Sequence, residues 1–306
     1  MQNHTIKATI TVILAACAHA VWSECNAAAL DVEAIAKAAQ TQATVSGDVV
    51  RIGWNRDDVA VKIDGMVFPP TAGLSSWAAF KATGKGEDAM VMGDMVVFQD
   101  EVDAAMDAAF KHGLEVTALH NHFFYDEPKV YFMHIDGHGQ AVELATGVKA
   151  VWDAIKRVRV TLAQPATHFA GAVPEPNGKI DARSIESITG LNAAINPDSV
   201  IKISTARPAV MHGTEIGGTM GLTSWAAFSG GDDWAVMDGD FIMTANEVQP
   251  VLKTLRGNGL HIVALHNHMI SEQPAYYFTH FWGKGPVVEL AKAFKAALDV
   301  QEQIHD

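Results

Sequence analysis

ALHNHFFYDEPKVYFMHIDGHG, residues Ala118–Gly139, returns as ALHNHMISEQPAYYFTHFWGKG, residues Ala264–Gly285. His120, His122 and His134 of the first copy fall on His266, His268 and His280 of the second at the same spacing. Asp126 falls on Glu272, and Pro128 on Pro274. Alternate side chains of a strand share a face, so both histidines of His-Asn-His point the same way and can reach one ion. The third histidine comes from the next predicted strand, Val130–Ile135 or Ala275–Phe281. A short loop, Met269–Pro274, returns it to that face, where Phe278 and Trp282 supply an aromatic wall. Three neutral imidazoles with an open position suit a divalent metal, zinc above all, with a carboxylate as fourth ligand or base.

Working outward, the repeat extends over most of the chain. GLSSWAAF at Gly73–Phe80 returns as GLTSWAAF at Gly221–Phe228, and Gly93-Asp94 as Gly239-Asp240. Each histidine strand follows a predicted helix, Asp100–His112 or Ala245–Asn258, the second opened by a Thr244/Glu247 capping box. Asp31 and Asp181 cap an opening helix in each unit, and helices near Gln140–Val158 and Val287–Ala297 close them. Between the units, Pro165, Gly171, Pro174, Pro176 and Gly178 mark a linker. The division is therefore residues 1–25 as a leader, 30–161 as the first repeat, 162–178 as the linker and 179–306 as the second repeat. Alternating strands and helices predict an α+β fold. It is a tandem duplication of one mixed α/β-layer domain, with a mixed sheet and pseudo-twofold related halves.

The chain has 306 residues, 49% of them hydrophobic and 19% charged, with a formal net charge of −13. That is globular composition with enough length for two cores. No basic patch stands out, which argues against nucleic acid as a partner. Lys7 and the apolar run Ala8–Val21 read as an export signal, too short to span a bilayer comfortably. Within it, Leu14-Ala15-Ala16-Cys17 matches the pattern that lipoprotein processing recognises, leaving a lipidated Cys17 as the only membrane attachment. Cleavage after Ala18-His19-Ala20 would instead release a soluble exported protein, and an apolar start to the fold is the third reading. With Cys17 lipidated or removed, Cys25 has no intramolecular partner, and stability must come from the core.

Other residues invite structural explanations. Asn121 and Asn267 face away from the paired histidines and fit a loop-fixing role. Trp77 and Trp225, beside small alanines, read as core. Asp94 and Asp240 read as Asx turns, of interest only if those turns approach the histidines. Glu143 and Glu289 suit the first turns of the closing helices. His138 is either a spare ligand of the first copy or a solvated residue. Three histidines at fixed positions in two diverged halves favour a metal over a hydrogen-bonded strand corner.

The ALHNH segments, the proline and later histidine, and the SWAAF and Gly-Asp elements resemble the LppY/LpqO family of bacterial lipoproteins, over both repeats. That resemblance implies an exported, membrane-anchored protein and supplies no activity. A weaker likeness is to acetolactate decarboxylase, a duplicated β-rich enzyme whose zinc is held by a His-x-His pair and a later histidine. The function expected is a divalent-metal-dependent lyase or hydrolase of the cell envelope acting on a small molecule. His266, His268, His280, His120, His122 and His134 would hold metal, and Glu272 and Asp126 would move protons. The alternative is a lipoprotein that binds a metal or ligand without turnover.

Overall fold

A computed structural model describes residues 30–84, 88–176 and 178–304. The leader, with Cys17 and Cys25, lies outside the described residues. The first half runs α1 (Val32–Ala39), β1 (Ala43–Ser46), β2 (Val49–Asn55), β3 (Lys62–Ile63), β4 (Met66–Val67), β5 (Ser75–Ala82) and β6 (Asp88–Phe98). It continues through α2 (Val102–Lys111), β7 (Glu115–His120), β8 (Asp126–Glu127), β9 (Val130–Gln140) and α3 (Ala141–Thr161). The second half opens with α4 (Ala182–Thr189), β10 (Ala193–Ile195), β11 (Ile201–Ala206), β12 (Ala209–Met211), β13 (Thr214–Ile216), β14 (Thr223–Gly230) and β15 (Ala235–Met243). It ends with α5 (Ala245–Gly257), β16 (His261–His266), β17 (Tyr277–Gly285) and α6 (Val287–Glu302).

The principal sheet has twelve strands in the order β1-β2-β5-β6-β9-β7-β16-β17-β15-β14-β11-β10. Equivalent strands of the two halves make that order a palindrome, as a pseudo-twofold axis between β7 and β16 requires. The expected mixed sheet is corrected: every neighbouring pair is antiparallel. The reason is the connection through α2. It carries the chain from β6 to a parallel β7, but β9 then inserts between them, giving a split β-α-β unit.

Period two decides what each face of the sheet buries. Ala78 and Phe80 of β5, Met95 and Val97 of β6, and Met133 and Ile135 of β9 enter one core with all six helices. Asp31 and Asp181 accept from Ala34 N and Arg183 N, so the predicted caps form. At the start of α5 Glu247 accepts from Thr244 N at 2.7 Å, one half of the predicted capping box, while Thr244 Oγ1 is buried without a partner. Phe241, Phe281 and Phe294 are fully buried where α6 meets β15 and β17. A large apolar side chain buried in this way contributes about 1.5–3 kcal/mol. No helix among the described residues is long and apolar enough to cross a membrane.

The halves are also tied together outside the strand pairing. Gln249 of α5 accepts from Val116 N at 3.1 Å and donates to Val116 O at 2.8 Å, satisfying backbone beside the bulge in β7. Arg256 reaches across to Asp103 and Asp107 of α2 at 3.0 and 2.8 Å. Among the described residues all six α-helices pack on one face of the sheet, and none covers the opposite face. Two smaller clusters sit there, one under β3, β4 and β8 and one under β12 and β13, and the histidines lie on this face.

Candidate metal centre

Bottom-up, the site is assembled by register. Asp94 pairs directly with Trp77 on one side and His134 on the other, and His134 pairs with Ala118. In the second half Asp240 pairs with Trp225 and His280, and His280 with Ala264. Because Leu119 and Leu265 enter the helix-side core, His120 and His266 beside them point to the open face. His122 and His268 follow from the loops just past β7 and β16.

In each copy the first histidine lies beside the other two, though among the described residues the three imidazoles by themselves do not form a group with ligating atoms within 4.8 Å of one another. His120 lies 5.1 Å from His122 and 5.1 Å from His134, ring centre to ring centre. His266 lies 5.1 Å from His268 and 5.0 Å from His280. Of the expected aromatic wall Phe278 is in place, with His268 stacked on it at 3.5 Å, and Phe132 does the same for His122 at 3.3 Å. Asn121 donates to Phe123 O and Asn267 to Met269 O, which fixes both loops as expected.

Two expectations are corrected. Asp94 and Asp240 are not in turns, since β6 and β15 run straight through both Gly-Asp pairs. The glycines serve close packing instead. A Cβ on Gly93 would meet Trp77 O at 2.8 Å, and one on Gly239 would meet the Phe281 ring at 2.1 Å. Each aspartate therefore points to the other face, into the histidine cluster. Trp77 and Trp225 are not core residues either. Ala78, Phe80, Ala226 and Phe228 occupy the core side of those strands, so period two turns the tryptophans, half-buried, to the open face.

The tightest group of potential ligands is Asp240, His266 and His268, whose ligating atoms all lie within 4.8 Å of one another. His268 Nε2 lies 3.2 Å from Asp240 Oδ2. Asp240 is 3% exposed, and its Oδ1 and His266 Nδ1 are buried without a hydrogen-bond partner. His280 Nδ1 contacts Gly239 O at 3.2 Å, which as a donor would leave Nε2 free, the arrangement common to metal-binding histidines. His280 thus stays beside the group, while Asp240 is the member that motif reading missed. Its signal was present, because the interval from Asp94 to His120 equals that from Asp240 to His266.

Burial acts on both kinds of donor, disfavouring the charged form of each. Burial pushes the Asp94 carboxyl above its ordinary value, opposed by His134, His122 and His120. Burial lowers His266, against the pull of Asp240, and lowers His122, with His120 adding to the effect. Asp238 is raised by partial desolvation, opposed by His280 and by Lys202. An imidazole held neutral presents a lone pair to an ion without first losing a proton.

The carboxylates expected as proton carriers have structural partners. Asp126 accepts from Lys129 Nζ at 2.8 Å and Val130 N at 2.7 Å. Glu272 accepts from Tyr276 N at 2.8 Å through Oε1, and its Oε2 is buried without a partner. His138 is exposed on β9.

Three solved structures share the chain's coverage but little of its geometry. They are EtuB from Clostridium kluyveri (10% identity, 85% of this chain and 89% of that one, TM-score 0.21) and the trimeric bacterial microcompartment shell protein PduB (10%, 84% and 88%, 0.20). The third is the double-ringed trimeric shell protein MSM0271 from the RMM microcompartment (10%, 72% and 85%, 0.19). Similarity at that level carries no argument about this chain. No curated protein matches it. The family described as Domain of Unknown Function (DUF1259) matches twice, over residues 33–154 and 183–300, once in each half. With most of its length matched, and matched as a repeat, the chain belongs to the DUF1259 family.

Proposed function

We propose that this protein is a divalent-metal-dependent enzyme, a lyase or hydrolase acting on a small molecule, with Asp240, His266 and His268 as the principal ligands. One observation carries the reading. A buried carboxylate oxygen and a buried imidazole nitrogen, Asp240 Oδ1 and His266 Nδ1, face one cluster with no partner of their own. Leaving both unsatisfied costs free energy that an ion would recover. Two imidazoles and one carboxylate suit zinc, and the same set is used for ferrous iron. Zinc would draw the ligating atoms in from within 4.8 Å to about 3.3 Å apart, given bonds of about 2.0–2.1 Å. When bound, the ion would polarise a carbonyl or acidify a water. The stacked Phe278 and Phe132 shield each cluster on one side, which strengthens electrostatics there. His120, His122, His134 and Asp94 would form a second site of the same kind.

The cell-envelope reading is supported by Lys7 with the apolar run Ala8–Val21, by Leu14-Ala15-Ala16-Cys17 within it, and by the likeness of both repeats to LppY/LpqO lipoproteins. Mass spectrometry of the mature N-terminus tests it: an acylated Cys17 supports the lipid anchor, a free start at Val21 contradicts the anchor and leaves a soluble exported protein, and an intact Met1 contradicts export. For the enzyme, metal-loaded protein is incubated with a panel of small 2-oxo acids, acetolactate and simple esters, followed by proton NMR. Turnover that stops on chelation and returns with zinc supports the proposal. Metal retained with no turnover across the panel supports the non-catalytic binding alternative.

A further inference from the structure

Beside each histidine cluster a cation lies on the strand-face tryptophan. Lys202 Nζ sits 4.1 Å from the centre of the Trp225 ring, and the Arg51 guanidinium 4.1 Å from the centre of Trp77. The residue type differs between the halves, but the positive charge and its platform recur. Each tryptophan is the direct register neighbour of the site aspartate, Trp225 of Asp240 and Trp77 of Asp94. Among the described residues no carboxylate oxygen lies within 4.0 Å of either cation, whereas Lys81, Lys149, Arg256 and Lys292 all pair with one. In the row of each cation the sheet floor is low. Ala227 stands between Lys202 and Asp238, and Ala79 between Arg51 and Met92.

We infer that the substrate of this site is a small carboxylate-bearing molecule with two anionic ends. One end meets the ion and the other is clamped by Lys202 in the second half or Arg51 in the first. The inference rests on the metal reading above and adds the substrate class to it. A guanidinium stacked on an indole keeps its N–H edges free for a carboxylate, and an ammonium keeps its remaining donors. Trp225, on which Lys202 lies, is one strand from Asp240 and three from His266, so an ion held between those ligands lies about two spacings of about 4.8 Å from the cation, which a short dicarboxylate spans once its bonds to ion and clamp are added. The chain as a whole carries a net charge of −13, which repels anions. A site that joins a divalent cation to an unpaired lysine or arginine reverses that sign locally and selects for negative charge.

The test uses full-length zinc-loaded protein, with zinc content measured first and two probes, glutarate and its monoamide. Binding is followed by titration calorimetry and by tryptophan fluorescence. Glutarate is expected to bind at least tenfold more tightly than the monoamide. In the Arg51→Met/Lys202→Met double variant that preference is expected to vanish with zinc content unchanged. The Arg51→Lys/Lys202→Arg variant is expected to keep it, which separates charge from folding. Equal binding of the two probes by the parent, failure to bind either, or an undiminished preference in the double variant overturns the clamp. Zinc retained without selectivity removes the clamp alone. Selectivity retained without zinc removes the metal reading and leaves a cationic anion site. Loss of both overturns both.

Discussion

Leu119 and Leu265 pair with each other across the centre of the sheet. They hold the same place in the two copies of ALHNH, so the pseudo-twofold axis passes through this pair. Both side chains enter the helix-side core, which sends His120 and His266 to the opposite face. Continuing the antiparallel register sets His120 opposite Ala264 and His266 opposite Ala118. The two histidine clusters therefore flank one axis on one surface, rather than occupying separate domains.

A sheet continuous through that pair predicts cooperative unfolding. Leu265→Ala should cost about 2–5 kcal/mol, as a buried leucine truncation does. The loss should appear as one shifted urea transition seen equally by probes in both halves. Two separated transitions would show that the halves unfold independently and that the central pairing contributes little.

A second prediction concerns an ion pair repeated in both halves. Arg56 bonds Glu101 at 2.7 and 2.9 Å with both side chains buried, and Arg207 bonds Glu247 in the corresponding place. Arg159 Nε also lies 2.7 Å from Glu101, so removing Arg56 leaves the buried carboxylate only partly paired, and Arg56→Met should destabilise by about 3 kcal/mol near neutral pH, the lower end of the range for a broken buried pair. Burial already pushes Glu101 above its ordinary value, against the opposing bonds from Arg56. A carboxyl raised in the folded state favours folding below its unfolded value, and that contribution fades as pH rises through the folded one. Without Arg56 the rise is larger, so the penalty should shrink on acidification toward pH 5. A penalty constant between pH 5 and pH 8 would contradict this account of Glu101.

His266 and His122 act with the opposite sign. Burial holds His266, and likewise His122, below the ordinary value of 6.5. A base depressed in the folded state contributes stability above its unfolded value, and loses it as pH falls through the folded one. Metal-free protein should therefore lose stability as pH drops from 7 through 6 and below, and His266→Phe should flatten that part of the profile. An unchanged slope in the variant would remove His266 as a source.

Much of the fold was legible because repetition supplied its own control. Asp31 and Asp181, the Glu247 half of the capping box and the alternating strands specify local structure through short-range bonds and period two. The imidazole clusters followed from the same alternation. Asp94 and Asp240 were not legible because Gly-Asp is strong turn chemistry by itself. Only the Phe281 ring and Trp77 carbonyl, brought in from neighbouring strands, show why glycine stands there. The facing of Trp77 and Trp225 was missed for a related reason. Composition favours burying tryptophan, and only register reveals which side of β5 and β14 the core takes. Likewise β7 and β16 are the sheet's join by tertiary pairing, which no local pattern encodes.

Asp240 and His280 separate the structural account from the motif. If the tight group holds the ion, Asp240→Ala should lose metal at least as completely as His268→Ala. His280→Ala removes only a residue beside that group, and should weaken retention less.

The most direct test is zinc per chain, by mass spectrometry of the elements after gel filtration, for the parent protein and for Asp240→Ala and His268→Ala. The account predicts at least one zinc bound by the parent and one fewer in each variant, with far-UV circular dichroism unchanged. A parent that binds no divalent metal, or variants that keep the parent's full content, would contradict it.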